Sequence, residues 1–294
     1  MTVKTKKLRT RRHTVVLSRS AGGDFGITIF LIILGVIMFL PLYYVVIQSF
    51  KPLDELFYYP PKFYVINPTW DNFTSLFTLM SESWVPFSRY IFNTVFITFC
   101  GTLGNLVLSS LCAYALSKIP FPGRKFFFQL VEKSLMIGST VGSIITFIII
   151  SWLGLMDNYL AIILPAWSST LGLYLMKNFM DSNVTTSILE SARLDGAGEF
   201  RTFWSIAMPM VKPAWLTLII YSFQGLWNAG ASIYIHSEEL KTLNYAITQI
   251  LSAGIVRSGA QAASGVIMMA VPIIVFVVSQ SKIIETMGTS GMKD

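Results

Sequence analysis

Six long apolar runs decide what this chain can fold into. They lie at about 25–49, 90–117, 127–150, 158–178, 213–233 and 263–282, each close to the 20 or so residues an α-helix needs to cross a bilayer. In hydrocarbon every backbone N–H and C=O has to be satisfied within the segment, so runs of this kind fold as helices. Only 13% of the 294 residues are charged and mean hydropathy is +0.62, whereas soluble domains carry about 25% charged residues. The predicted fold class is an all-α polytopic membrane protein of six transmembrane helices, with a short cytoplasmic helix between the fourth and fifth. The length leaves room for one membrane domain and no large soluble one. The predicted organisation is a basic cytoplasmic segment 1–24, a transmembrane domain 25–282 and a cytoplasmic tail 283–294. Pro41 is expected to kink the first run, while Pro165 and Pro272 fall in runs that tolerate proline. The first run is too long for the apolar core of a cleaved leader, so none is expected.

The net charge of +7 would suit nucleic acid, but its placement reads as topology instead. Residues 1–20, the loop holding Lys118, Arg124 and Lys125, the 177–213 loop and the tail together hold sixteen of the 22 Lys and Arg. The opposite side holds five: Lys51, Lys62, Arg89, Lys241 and Arg257. The positive-inside rule then places both termini in the cytoplasm, in agreement with an even number of spans. Glu132 and Lys133 lie in the third run, either as functional groups or as side chains snorkelling to the nearby face. Two external segments, the aromatic 50–89 and the polar 234–262, are either partner contacts or plain connections.

Two runs show one-sided polarity. In the second, Thr94, Thr98, Gly101, Thr102, Asn105, Ser109 and Cys112 fall within a sector of about 100°. In the fifth, Thr217, Tyr221, Gln224 and Asn228 follow i, i+4, i+7, i+11. Polar groups do not face lipid cheaply, so both stripes should face protein or water. Small and hydroxyl side chains also glue membrane helices together, which is the competing reading for the second run. The fifth-run stripe offers amide donors and acceptors, a ring face and a phenol, which suit a neutral polyhydroxylated solute. The substrate-path candidates are therefore Thr217, Tyr221, Gln224 and Asn228, with Asn105 from the second run.

Between the fourth and fifth runs lies SILESARLDGAGEFRTFWSIAMPMVKP, residues 187–213. Ser187 with Glu190 three residues on reads as a capping box, so a helix is expected to begin there. Asp195-Gly196 is a turn signal that bends or ends it, and Pro209 and Pro213 close the segment before the next apolar run. The stretch is too short and too charged to span a bilayer and suits docking onto another protein.

Glu190, Ala192, Gly196, Ile206 and Pro209 also stand at the spacing of the signature loop of binding-protein-dependent ABC import permeases, which this segment resembles. Ser191 replaces an alanine of that signature and Met208 a leucine. AYALSKIPFPGRK (113–125), the segment 174–200 and Trp227-Asn228 extend the resemblance to the carbohydrate-uptake, maltose-permease-like branch. The spacing of 234–250 and the final segment look closest to permeases for complex oligosaccharides, including those derived from plant polysaccharides. Ala229 stands where members often carry an acidic residue, and Gly138 where a proline is common.

The resemblance implies a permease subunit that imports a sugar, expected to be an oligosaccharide, through a bacterial cell membrane. It implies a second homologous permease in a heterodimer, two ATPase subunits bearing ATP and Mg, and an external solute-binding protein. In such a complex the loop forms a coupling helix against the ATPase. Glu190, Ser191, Ala192, Asp195, Gly196, Ile206 and Pro209 are then the coupling residues, with Glu190 and Asp195 holding its shape, Gly196 its bend and Pro209 its exit. Gly196→Asp is predicted to abolish uptake while the protein still inserts.

The residues themselves exclude several other classes. No GxxxxGK[ST] occurs, so nucleotide binding must lie on another chain. Two distant histidines, His13 and His236, support no metal site, and Cys100 and Cys112 lie about 18 Å apart along one helix, beyond disulfide reach. A membrane enzyme would need a nucleophile–base set or an acidic pair, and neither is present. The alternative kept is an ion-coupled secondary transporter or channel for a polar solute, which calls for central charges or a repeated half.

Overall fold

The computed structural model describes residues 21–81, 84–230, 233–252, 254 and 257–290. Most of the basic N-terminal segment and the last four residues of the tail lie outside them. Among the described residues all regular structure is helical. Two compact units are present, one reaching to Val45 and the other from Val46 onward. The first unit is the body of α1 (Ala21–Phe50), which runs on through Pro41. Its apolar side chains from Phe25 to Leu42 are exposed almost without interruption, as in a helix surrounded by lipid.

The second unit begins with α2 (Leu53–Leu56) and α3 (Asp71–Ser81) and is organised on α4 (Phe87–Lys118). Helices α5 (Arg124–Ser134), α6 (Ser139–Trp152), α7 (Leu160–Trp167) and α8 (Thr170–Asn183) follow. Next come α9 (Thr186–Leu194), α10 (Glu199–Thr202), a π-turn over Phe203–Ala207, and α11 (Met208–Met210). The chain closes with α12 (Lys212–Trp227), a 3-10 turn at Glu238–Leu240, α13 (Leu243–Leu251) and α14 (Ser258–Ser290). Helix α4 packs against α7, α8 and α12, and α14 lies on α12 and α3. The approach of α7 to α4 is close because of Gly104: a Cβ there would lie 1.9 Å from Trp167 Nε1. The indole N–H donates to the Cys100 carbonyl at 3.0 Å, which satisfies its polar edge inside the contact.

Among the described residues, four helices are long and apolar enough to cross a membrane: Gly22–Phe50, Phe87–Lys118, Leu160–Asn183 and Ser258–Gln280. A fifth is counted if Glu199–Met210 and Lys212–Trp227, bent by 84°, form one broken span. The third apolar run is not one helix, contrary to its hydropathy. It is α5 and α6 separated at 135–138, where Gly138 takes extended backbone at φ −60°, ψ 143°. Hydropathy sums side chains and is blind to a glycine that costs a helix about 1 kcal/mol. The fourth run begins and ends later than its hydropathy indicates and is interrupted at Ser168-Ser169. Pro165 removes a helical N–H, and Ser169 then caps α8 by accepting from Gly172 N–H at 3.1 Å. The fifth run ends at Trp227, with Asn228 as cap, well before residue 233. The polar stripe of the second run is largely helix packing: Thr94, Thr98, Thr102, Asn105 and Ser109 are buried and only Cys112 is exposed. Glu132 and Lys133 are both exposed, in the last turn of α5.

Loop contacts collect at the two ends of α4. At its beginning, Arg89 Nε donates to the Glu239 carbonyl and Tyr90 OH to Glu238 Oε1 at 2.9 Å. Asn93 Nδ2 reaches the carbonyls of Glu239 and Lys241, both at 2.8 Å, while Tyr159 OH donates to Asn93 Oδ1. At its far end, Tyr114 OH donates to Glu199 Oε2 and Ser117 Oγ to Asp181. The loops before α7 and before α13 therefore share one end, and the α9–α11 segment occupies the other.

Candidate functional site

The α9–α11 segment is built from a buried side and an exposed side. Val184, Leu189, Phe203, Ala207, Met208 and Val211 are buried in one cluster with Ala113 and Tyr114 of α4, Met176 and Met180 of α8, and Ala214 and Leu218 of α12. Burying a Leu or Met side chain is worth about 2 kcal/mol, so this cluster ties the segment firmly to three helices. The signature residue Ala192 is buried on the same side and Ile206 is half-buried against the cluster. Glu190, Ser191, Asp195, Gly196 and Pro209 are exposed. The outward surface also carries large apolar side chains: Ile188 at 42%, Leu194 at 89% and Phe200 at 71% exposure.

Helix α9 starts at Thr186 with Thr185 as N-cap, and that cap makes no side-chain hydrogen bond. Ser187 therefore stands inside the first turn, and the capping box with Glu190 does not form; the Ser187 carbonyl instead accepts from Ser191 Oγ at 3.0 Å. The end of the helix follows the Asp-Gly signal. Gly196 takes φ +81°, its N–H donates to the Arg193 carbonyl, and Ala197 N–H donates to the Ala192 carbonyl at 2.9 Å. This is a Schellman ending, which satisfies the last carbonyls of the helix.

What straps α9 to α10 differs from expectation. Among the described residues, no hydrogen bond or ion pair involves the carboxylates of Glu190 or Asp195. The strap is Arg193 Nε to Glu199 Oε1 at 2.7 Å, across the turn, with Tyr114 OH on the other carboxylate oxygen at 3.1 Å. The hydrogen bond from Arg193 holds the Glu199 carboxyl below its ordinary value, and Glu199 holds the Arg193 guanidinium above its own. None of these three residues stands out in the sequence, because Arg193 and Glu199 lie on opposite sides of a turn that no periodicity spans. Pro209 sits within α11, and the chain then turns at Val211, where α12 departs at 84° to the Glu199–Met210 segment. Trp215 Nε1 donates back to the Met208 carbonyl at 3.1 Å across that elbow.

On α12 the structure brings Thr217, Tyr221, Gln224 and Asn228 onto one exposed face, with Tyr221 58% exposed. Thr217 Oγ1 donates to the Pro213 carbonyl and Asn228 Nδ2 to the Gln224 carbonyl, both at 2.9 Å. Asn105 does not join them. It is 3% exposed, donates to Ser222 Oγ at 3.1 Å and accepts from Ser109 Oγ at 2.8 Å, which makes it a link between α4 and α12. A residue chosen by helical angle alone can face a neighbouring helix as well as an open path, and here it faces the helix.

Beyond α12 the loop is fastened by charges that find each other. Asp157 accepts from the His236 and Ser237 backbone N–H groups at 3.0 and 2.8 Å and from the Ser237 hydroxyl. These bonds, the hydroxyl's first, hold its carboxyl below the usual range. Burial works against the Lys241 ammonium, but hydrogen bonds to Glu238 at 2.6 Å and Tyr245 OH at 2.7 Å hold it above its ordinary value.

Comparison with known proteins follows this geometry. A family described as the binding-protein-dependent transport system inner membrane component matches residues 105–286. A polygalacturonan/rhamnogalacturonan transport system permease protein of Bacillus subtilis is 31% identical over 244 residues, covering 79% of this chain and 78% of that protein. An sn-glycerol-3-phosphate transport system permease protein of Yersinia enterocolitica is 30% identical over 208 residues, 69% of this chain and 74% of that one. An arabinooligosaccharides transport system permease protein of Bacillus subtilis is 29% identical over 232 residues, 77% and 80% of the two chains. The fold is shared with a chain of a bacterial ABC transporter involved in the import of the acidic polysaccharide alginate, at TM-score 0.76 and 24% identity, covering 90% of this chain and 98% of that one.

Proposed function

We propose, from the premise that this chain belongs to the family of binding-protein-dependent transport system inner membrane components, that it is the permease subunit of an ATP-driven importer that carries an oligosaccharide. The observation that carries the mechanical half of this reading is the α9–α11 segment. Its inner side is locked into α4, α8 and α12, and its outer side offers Leu194 and Phe200 to a partner. A push on that surface is transmitted to α12, the helix that carries the exposed polar stripe. Two ATPase subunits holding ATP and Mg supply the push, and Glu190, Ser191, Asp195 and Gly196 line the contact. The stripe lines one wall of the path, and a second homologous permease supplies the facing wall.

The finer topology belongs to the same proposal. Six crossings require α5 with α6, and α10–α11 with α12, to act as a broken span and a coupling elbow respectively. Both termini and the α9–α11 segment are cytoplasmic, and the 50–89 and 234–262 segments face an external solute-binding protein. The relatives are named for polygalacturonan/rhamnogalacturonan, arabinooligosaccharides and sn-glycerol-3-phosphate, at nearly equal identity, so sequence similarity does not choose among them. The stripe favours the saccharides: amides, a hydroxyl and a phenol bind sugar hydroxyls, while a phosphate calls for cationic or backbone N–H donors.

Purification of the tagged chain from its native membrane in mild detergent, with mass spectrometry of the chains that accompany it, tests the assembly. A second permease and a Walker-A ATPase at near-equal amounts are expected. A chain that purifies alone, and drives uptake in proteoliposomes on an ion gradient without ATP, would establish the secondary transporter instead.

A further inference from the structure

The polar face of α12 continues past the end of the helix. The Asn228 carbonyl accepts from Asn244 Nδ2 at 2.6 Å, which joins α13 to the outer end of the stripe. Along α13 and its final turn, Asn244, Thr248 and Ser252 recur at i, i+4, i+8, on the side away from buried Leu243, Ala246 and Ile247. Thr248 Oγ1 donates to the Asn244 carbonyl at 2.7 Å and Ser252 Oγ to the Thr248 carbonyl at 3.0 Å. Each hydroxyl proton is thereby used internally, and the oxygen lone pairs of exposed Thr248 and Ser252 are left to accept from a ligand. Thr217 to Asn228 covers about 16 Å of helix rise, and Asn244 to Ser252 adds about 12 Å.

Two of the charged groups beside this surface, Lys241 and Asp157, are held by partners of their own. Lys241 is paired with Glu238 at 2.6 Å and covers the Tyr245 ring at 4.1 Å. Asp157 accepts from His236 and Ser237, and exposed Arg89, whose Nε donates to the Glu239 carbonyl at 3.2 Å, and exposed Glu239 keep their charges outside the stripe itself. An anionic sugar chain would require Arg, Lys or converging N–H donors, and the stripe offers amides and hydroxyls only.

We infer that α12 and α13 form one continuous uncharged track for an uncharged oligosaccharide chain, with Asn244 and Thr248 as its outer contacts. The inference rests on the carbohydrate-importer reading above and adds to it the neutrality of the chain, the preference for several sugar units and the residues outside α12. A single ring is served by α12 alone, whereas a longer chain engages α13 as well. Thr248 thus becomes a length-dependent specificity residue.

The test uses the complete importer in proteoliposomes, with ATP inside and saturating binding protein. Its substrates are neutral arabinan and galactan fragments of one to six units, and galacturonate oligomers of the same lengths. The readout is sugar delivered per ATP hydrolysed, beside the binding-protein-stimulated hydrolysis rate itself. Thr248→Val keeps size and removes the hydroxyl on an exposed position. It is expected to lower delivery of neutral trimers and longer chains about fivefold, the worth of one hydrogen bond, leaving single sugars and the stimulated hydrolysis rate unchanged. Thr248→Lys is expected to depress neutral chains further. Unchanged delivery of long neutral chains in both variants overturns the inference while leaving the importer reading intact. Wild-type transport of galacturonate oligomers in preference to neutral ones overturns its neutrality. Transport of neither class by the wild type brings down the carbohydrate reading and this inference with it.

Discussion

A side chain at position 196 would meet no atom within 4 Å, so Gly196 is required by its backbone alone, at φ +81°. A Cβ in the left-handed region costs about 1 kcal/mol, less for Asn and Asp and more for β-branched residues. The effect of substitution should therefore rank by backbone tolerance. Gly196→Asn is expected to retain most uptake, and Gly196→Val to lose it at normal membrane level, measured as initial uptake rate against immunoblot signal. An inactive Gly196→Asp beside an active Gly196→Asn would locate the defect in charge on the docking surface and not in the turn. Glu199 makes a different prediction. Its folded pKa lies below the ordinary value of 4.5, so the strap contributes stability above that value and loses it as pH falls through the depressed one. Both partners are substantially exposed, which keeps the contribution under about 1 kcal/mol. Amide exchange in α9 should quicken as pH falls below about 4.5, beyond the intrinsic change, and in Glu199→Gln this extra step should vanish; an equal step in the variant would remove the strap from the account. Gly196 was legible in the sequence because Asp-Gly is a local signal. The strap was not, since Arg193 and Glu199 meet only after the Schellman turn folds the chain back. Ser187 misled because the helix begins two residues earlier than a Ser187 cap would have it, at Thr186 behind Thr185, which puts Ser187 inside the first turn.

At the scale of elements, the elbow at Val211 is where, in the proposed mechanism, a displaced loop would move α12. Among the described residues, the side-chain hydrogen bond that spans it is Trp215 Nε1 on the Met208 carbonyl. Trp215→Phe keeps most of the apolar contact and removes the donor, a loss of about 1 kcal/mol. The expected outcome is a lower ratio of solute moved to ATP hydrolysed, with little change in binding-protein-stimulated hydrolysis; an unaltered ratio would show the elbow rigid without it. Gly104→Ala probes the opposite quality, close packing. Its Cβ would collide with the Trp167 ring, and overpacking of this kind costs about 1–3 kcal/mol, so a lower melting temperature in detergent is expected at unchanged loop geometry. Most helices were legible from hydropathy because lipid demands apolar length. The division of the third run into α5 and α6 was not, because the isoleucines that follow Gly138 keep the average high while the backbone breaks. Asn105 was assigned to the path for a related reason: helical angle gives a face, and only packing says whether α12 or open space lies opposite it.

Across the whole molecule, α4 separates two sets of loops by its own length, one fastened around Arg89–Asn93 and the other around Tyr114–Ser117. The stripe on α12 starts just past the elbow at the second end and runs toward the first, where α13 takes it up through Asn244. In the proposed importer, an event at the α9–α11 surface and the opening of the stripe to a solute would thus be joined through a single helix. The proposed docking would also account for the loop's exposed apolar side chains: Leu194, 89% exposed, is not part of the internal cluster that holds the loop in place. If Leu194 is buried in the ATPase contact, its side chain contributes about 2 kcal/mol there, roughly thirtyfold in association. Leu194→Asp should accordingly strip the ATPase from the detergent-purified complex and abolish uptake, while the second permease still accompanies the chain and its melting temperature holds. Loss of both partners together would mean that the substitution unfolds the loop. Retention of the ATPase with full uptake would place the docking surface elsewhere, and Phe200, 71% exposed on the same segment, would be the next side chain to test.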